Sequence, residues 1–108
     1  AANPYLFIAA QIAAGLDGLE RKLPLWPADD DSYTADRPLL PQNLGAALTA
    51  LDQSRLYREQ FGDLFVDYYL AFKGVELGRF EAHCEENGID AGGDDVTQWE
   101  QNEYYDFF

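Results

Sequence analysis

The chain has no methionine, one cysteine and one histidine, and only seven basic residues against twenty acidic ones. Without methionine, Ala1 is not expected to be a translation start, so the chain reads as processed, trimmed or a fragment. A single cysteine, Cys84, excludes an internal disulfide and suits a reducing cytosol. A net charge of −13 repels nucleic acid and anionic membranes, so neither is expected as a partner. Arg79 is the last cation, and nine carboxylates follow it. There is also no long hydrophobic run. The longest apolar stretch, Pro4 to Leu16, contains Gln11 and falls short of the about 20 residues a bilayer span needs. It lacks the basic flank of a secretion signal. A Gly-rich phosphate loop, a Ser/His/Asp set and a cysteine pair are all missing.

What remains is apolar and aromatic. At 108 residues the chain is one domain at most, and 47% hydrophobic residues with abundant aromatics argue for packed rather than disordered structure. The fold class is mainly α. Asn3 offers a side-chain acceptor to the free N–H groups of a first turn, and Pro4 loses no hydrogen bond at the first helical position, which predicts a helix over about 4–22. Ile8, Ile12, Leu16, Leu19 and Leu23 form one stripe along it, and Ala10, Ala14 and Gly18 form a second of small residues. A helix apolar nearly all round is buried on several sides. Gly15 and Gly18 each cost about 1 kcal/mol against alanine in a helix, which is reasonable where another backbone approaches closely. Either the covering elements lie upstream of Ala1, or this is the central helix of a small bundle.

Four prolines between Leu23 and Gln42, with Asp29, Asp30 and Asp31 among them, break the pattern into a long loop over 23–42. Asn43 caps a predicted helix over 44–52 with Leu44, Leu48 and Leu51 inward; Asp52 or Ser54 restarts a short one over 55–61, ended by Gly62. Asp63 opens the longest, over 63–87, with Gly88 as its stop. Its apolar rows are Phe65, Tyr69 and Phe72, and Val66, Leu70, Leu77 and Phe80. Gly74 and Gly78 again suggest close contact. An acidic loop over 88–95 leads to a last helix over 97–106, opened by a Thr97/Glu100 capping box. The segment 96–108 is dense in aromatics and is either tucked into the chain's own core or docked on a neighbour.

The sites that remain are weak. Of His83, Cys84, Glu85 and Glu86, only His83 with Glu86 or Asn87 has the helical spacing of a metal pair, and helix-end solvation accounts for it better. DDDSYTAD and NGIDAGGDD have the composition of calcium loops without the alternating ligands and distal glutamate, which favours solvated acidic loops. Tyr33 is either a modification site or, more simply, a loop tyrosine.

Three stretches nevertheless carry a resemblance. AANPYLFIAAQIAAGLDGLE resembles the glutamine synthetase segment that reads close to A-A-N-P-Y-L followed by A-G-L-D-G-I. LPQNLGAALTALDQSRLYREQFGDLFVDYYLAFKGVELGRFEA is similar to that family's later loop, L-x-E-A-L helix and long helix, and VTQWEQNEYYDFF to the V-T-D-W-E-x-x-E-Y terminus of branches such as the γ-glutamylpolyamine synthetases. The resemblance implies the helical C-terminal portion, over 1–108, of an α+β catalytic domain. The implied parent is a cytoplasmic ligase of nitrogen metabolism and glutamine biosynthesis. It uses ATP and Mg²⁺ (or Mn²⁺) to phosphorylate the γ-carboxylate of glutamate, and ammonia or an amine such as a polyamine displaces the phosphate. In that family the E-x-R strand holding a metal ligand and an anion-binding arginine comes just before A-A-N-P-Y-L. Ala1 to Leu6 therefore match a packing element, and the resemblance assigns no catalytic, cofactor-binding or metal-binding residue to this chain. The family's stacked rings imply a homo-oligomer in which Trp99, Tyr104, Tyr105, Phe107 and Phe108 are candidate subunit contacts. The segment CEENGIDAGGDD, over 84–95, interrupts the family's run into its terminus, and DDDSYTADRPLLP departs from the adenylylated loop, so that regulation is not carried over to Tyr33. A reading of a different class is a stand-alone acidic helical interaction module without catalysis.

Overall fold

The computed structural model describes residues 3–25, 27, 38–92 and 96–105. Five helices follow one another: α1 (Pro4–Glu20), α2 (Leu44–Asp52), α3 (Arg55–Phe61), α4 (Asp63–Asn87) and α5 (Gln98–Tyr104), with no strand among the described residues. Tyr33, Asp29, Asp30, Asp31, Phe107 and Phe108 lie outside the described residues.

Local chemistry sets most boundaries. Asn3 Oδ1 accepts from the Tyr5 and Leu6 N–H groups at 3.0 and 3.2 Å. Asn43 Oδ1 accepts from Ala46 at 2.9 Å, and Ser54 rather than Asp52 caps α3, accepting from Tyr57 at 3.4 Å. In α5 the Thr97 N–H donates to Glu100 Oε2 at 2.7 Å and the Glu100 N–H donates to Thr97 Oγ1 at 3.3 Å, which completes the capping box. Thr97 is thus the cap, so this helix starts one residue later than expected and its helical turns end at Tyr104; Asp106 lies outside the described residues.

The expected end of α1 at residue 22 is also corrected. The helix stops at Glu20 because Lys22 turns left-handed, with φ 51°. The Lys22 N–H then donates to Leu19 O at 3.1 Å and the Leu23 N–H to Gly18 O at 3.0 Å, the paired bonds of a Schellman stop. Gly88, at φ 66°, ends α4 the same way, with Ile89 N–H donating to Cys84 O at 2.9 Å.

α2 and α3 both pack on α4, and α1 packs on α3. Arg58 sews the corner between them. Its guanidinium donates to Asp63 at 3.0 Å, to Asp67 at 2.9 Å, to the Asp52 carbonyl at 2.9 Å and to the Asp52 carboxylate. Hydrogen bonds to Asp67, Asp63 and Asp52 raise its pKa further above the already high arginine value.

An aromatic row crosses the break at Gly62. Tyr57, Phe61, Phe65 and Tyr69 lie four residues apart, with ring centroids 5.8, 5.9 and 6.2 Å apart in turn. Phe72 does not join this row as expected; it stacks on Tyr68 at 6.4 Å on the outer side of α4. The row lines a crevice of about 260 Å³ where Leu6, Phe7 and Ala10 of α1 meet Leu51 and Val66.

The core is small. Ala13, Val66 and Cys84 are the buried apolar side chains among the described residues, Val66 and Cys84 fully so. Leu44, Leu48, Leu51, Leu70, Leu77 and Phe80 are half-buried. The radius of gyration is 16.5 Å, against about 13 Å for a compact domain of about 100 residues. The stripe Ile8, Ile12, Leu16, Leu19 and Leu23 stands on the outside, with Ile12 58% and Leu19 76% exposed. Leu64, Tyr68, Phe72 and Val75 make a second exposed row on α4. Nothing lies within 4 Å of a Cβ built on Gly15, Gly18, Gly74 or Gly78, so the close backbone approach expected there does not come from the described residues.

Candidate functional site

The chemistry-bearing side chains gather where α5 faces the middle of α4 and the start of α2. Between them lies an open groove of about 750 Å³, with Asn43, Leu44, Tyr69, Lys73, Leu77, Phe80, Asp90, Trp99, Glu100 and Tyr104 along its walls. Lys73 and Glu76 share one face of α4 at helical spacing and pair at 2.7 Å, both largely shielded from water. The Lys73 ammonium also donates to Tyr104 Oη at 3.4 Å and stands 5.2 Å from the Tyr104 ring centroid. Two turns on, Arg79 grips Glu103 with both guanidinium nitrogens, at 2.8 and 3.0 Å, and lies 5.8 Å from the Trp99 ring. Trp99 rests against Phe80 at 5.3 Å and against His83 at 6.3 Å. α5 therefore runs antiparallel to α4, with Tyr104 beside Lys73 and Trp99 beside Phe80 and His83.

The subunit-contact candidates separate on this geometry. Trp99 and Tyr104 face α4 of their own chain, whereas Tyr105 is 83% exposed. Phe107 and Phe108 lie outside the described residues.

His83 takes part in helix-end bonding: the Asn87 side-chain amide donates to the His83 carbonyl at 2.8 Å and lies 3.4 Å from the ring Nδ1. Cys84 is buried, and burial pushes its thiol up, with the charges of Glu100, Asp90 and Glu81 acting in the same direction. A thiol protonated at neutral pH is a poor nucleophile.

No group of three or more His, Cys, Asp or Glu among the described residues is arranged to hold a metal ion. Arg21, Arg55, Arg58, Lys73 and Arg79 are each neutralised by a carboxylate of this chain rather than presented to phosphate. No described helix is long and apolar enough to cross a membrane. The groove is a place of packing and ion pairing. The Arg79–Glu103 and Lys73–Tyr104 contacts span 24 and 31 residues and leave no local sequence signal. The only hint of Arg58 was the set of aspartates around it at 52, 63 and 67.

Comparison with known proteins decides the family. The model described as "Glutamine synthetase, catalytic domain" matches residues 1–91. The chain belongs to the glutamine synthetase catalytic-domain family. A γ-glutamylanilide synthase of Acinetobacter sp is 43% identical over 96% of this chain and 21% of its own length. Human lengsin is 38% identical over 80% of this chain and 18% of its own. A glutamate–methylamine ligase of Methyloversatilis universalis is 36% identical over 98% of this chain and 23% of its own. The chain thus spans about a fifth of the length of these curated relatives. No solved structure matches it significantly. The glutamine synthetase match stops at residue 91, so Trp99, Tyr104 and Tyr105 lie beyond it.

Proposed function

We propose that this chain is the C-terminal helical part of a cytoplasmic glutamine synthetase-like ligase. The parent joins the glutamate γ-carboxylate to ammonia or a primary amine through a γ-glutamyl phosphate, with ATP and Mg²⁺ or Mn²⁺ held by the rest of the catalytic domain. One relative is named for an anilide and another for methylamine, which favours an amine acceptor broader than ammonia; a polyamine belongs to the same chemical class.

The observation that carries this reading, beside family membership, is the pair of uncovered apolar faces on α1 and α4. Exposed apolar area of this extent marks a surface that meets other protein. The stripe from Ile8 to Leu23 and the bare Gly15 and Gly18 are accounted for when the remainder of the catalytic domain lies against α1. In this role the chain supplies packing and ring-forming subunit contacts, and on its own it is inactive. A module that folds and persists by itself would have to leave these faces in water between binding events, which counts against that reading.

The test is the full-length protein incubated with glutamate, ATP and Mg²⁺ and, in separate reactions, ammonia, methylamine, aniline and putrescine. Phosphate release that depends on the amine, with a γ-glutamyl amide seen by mass spectrometry, is the expected result. Absence of amine-dependent release across all four acceptors overturns the ligase reading.

A further inference from the structure

Seven residues are too few for a self-supporting helix, since isolated helices shorter than about 12 residues are marginal in water. α5 therefore owes its helical state to what it docks on. Its docking is done by side chains across an open groove of about 750 Å³, and α4 and α5 are not among the closely packed helix pairs. The attachments fall at three points along α5: Trp99 on Phe80, Glu103 on Arg79, and Tyr104 on Lys73. One of the three is a double charge-assisted bond in which Arg79 is 59% exposed. Exposed ion pairs weaken as salt rises, because charges in contact with solvent are screened. The Trp99–Phe80 contact does not share that dependence.

We infer that α5 is a strap held on α4 in part by an ionic latch, Arg79 on Glu103, and that screening the latch raises the undocked, unfolded fraction of α5 as one unit by about threefold while α4 stays folded. The groove wall at Tyr69, Leu77 and Phe80 is the seat that the strap covers. This inference stands whether or not the parent is a ligase, because it uses only the α4–α5 geometry.

Hydrogen–deuterium exchange on the full-length protein tests it, read on peptides covering 98–104 and, separately, 66–84. Raising NaCl from ~0.05 to ~0.5 M speeds exchange of the α5 amides by about threefold, the size expected of an exposed ion pair. The α4 peptides stay unchanged. Arg79→Gln gives the faster exchange already at low salt and abolishes the salt response, and Glu103→Gln reproduces it from the other side of the pair. Three results each overturn the inference: α5 protection equal to that of α4 and indifferent to salt, a salt response that survives both substitutions, or loss of protection in α4 together with α5.

Discussion

At the scale of single residues, burial rather than motif decides behaviour. Cys84 is buried, and the carboxylates of Glu100, Asp90 and Glu81 add to the effect of burial on its thiol. Its pKa is raised above the ordinary 9.0. The folded state therefore holds the thiol proton more tightly than the unfolded state does. This contribution to stability is complete below pH 9.0 and is lost as pH rises through the higher folded value. Alkylation of Cys84 by iodoacetamide, followed on its own peptide by mass spectrometry, should rise with pH along a titration curve whose midpoint lies above 9.0 in the native protein; a midpoint at or below that pH contradicts the assigned burial. The sequence made the thiol's isolation plain but not its enclosure, because the groups around it come from α4, the turn after it and α5 together. The same holds for Arg79, whose partner Glu103 is a whole turn-and-helix away, whereas the Asp17–Arg21 and Arg55–Glu59 pairs follow directly from spacings of four on a helix.

At the scale of elements, the two helix stops differ in an instructive way. Both α1 and α4 end in a left-handed residue, but α4 uses Gly88 and α1 uses Lys22. A residue with a side chain is strained there by about 1 kcal/mol, while glycine is not. Lys22→Gly should raise the thermal midpoint of the protein, and Gly88→Ala should lower it by a similar free energy, about 1 kcal/mol in each direction by chemical denaturation. A change of the same sign in both variants would show that the left-handed turns are not what ends these helices. The contrast also explains which boundaries were legible. Glycine at 88 announces its turn, so the end of α4 is readable. Lysine at 22 carries no such signal, and Leu23 continues the apolar spacing, so α1 reads two residues too long. Caps made by Asn3, Asn43 and Thr97 are local hydrogen bonds and could be placed from residue type alone, whereas at α3 residue type left Asp52 and Ser54 both open and the structure selects Ser54.

At the scale of the whole molecule, helix number and order were legible, but which faces find cover was not. Periodicity identifies an apolar stripe without saying what lies opposite it. The Ile8–Leu23 stripe turned out to face outward, and it is Leu6, Phe7 and Ala10 that line the crevice against α3 and α4. The terminal segment offers the clearest test of assembly: removing residues 96–108 from the full-length protein should shift it to smaller species in analytical ultracentrifugation, and an unchanged mass would show that the terminal aromatics hold no subunit together. The layout of packing carries one last consequence, for the order in which the structure forms. α2, α3 and α4 touch neighbours that are close in sequence, so their association closes short loops and is fast. α1 joins α3 only after the chain over residues 21–43 has been looped back, a slower search with its own entropic cost. The α2–α4 corner, stitched by Arg58, is therefore expected to form first and α1 to dock on it afterwards; φ-values near zero on α1 and higher on α4 would be the sign of that order.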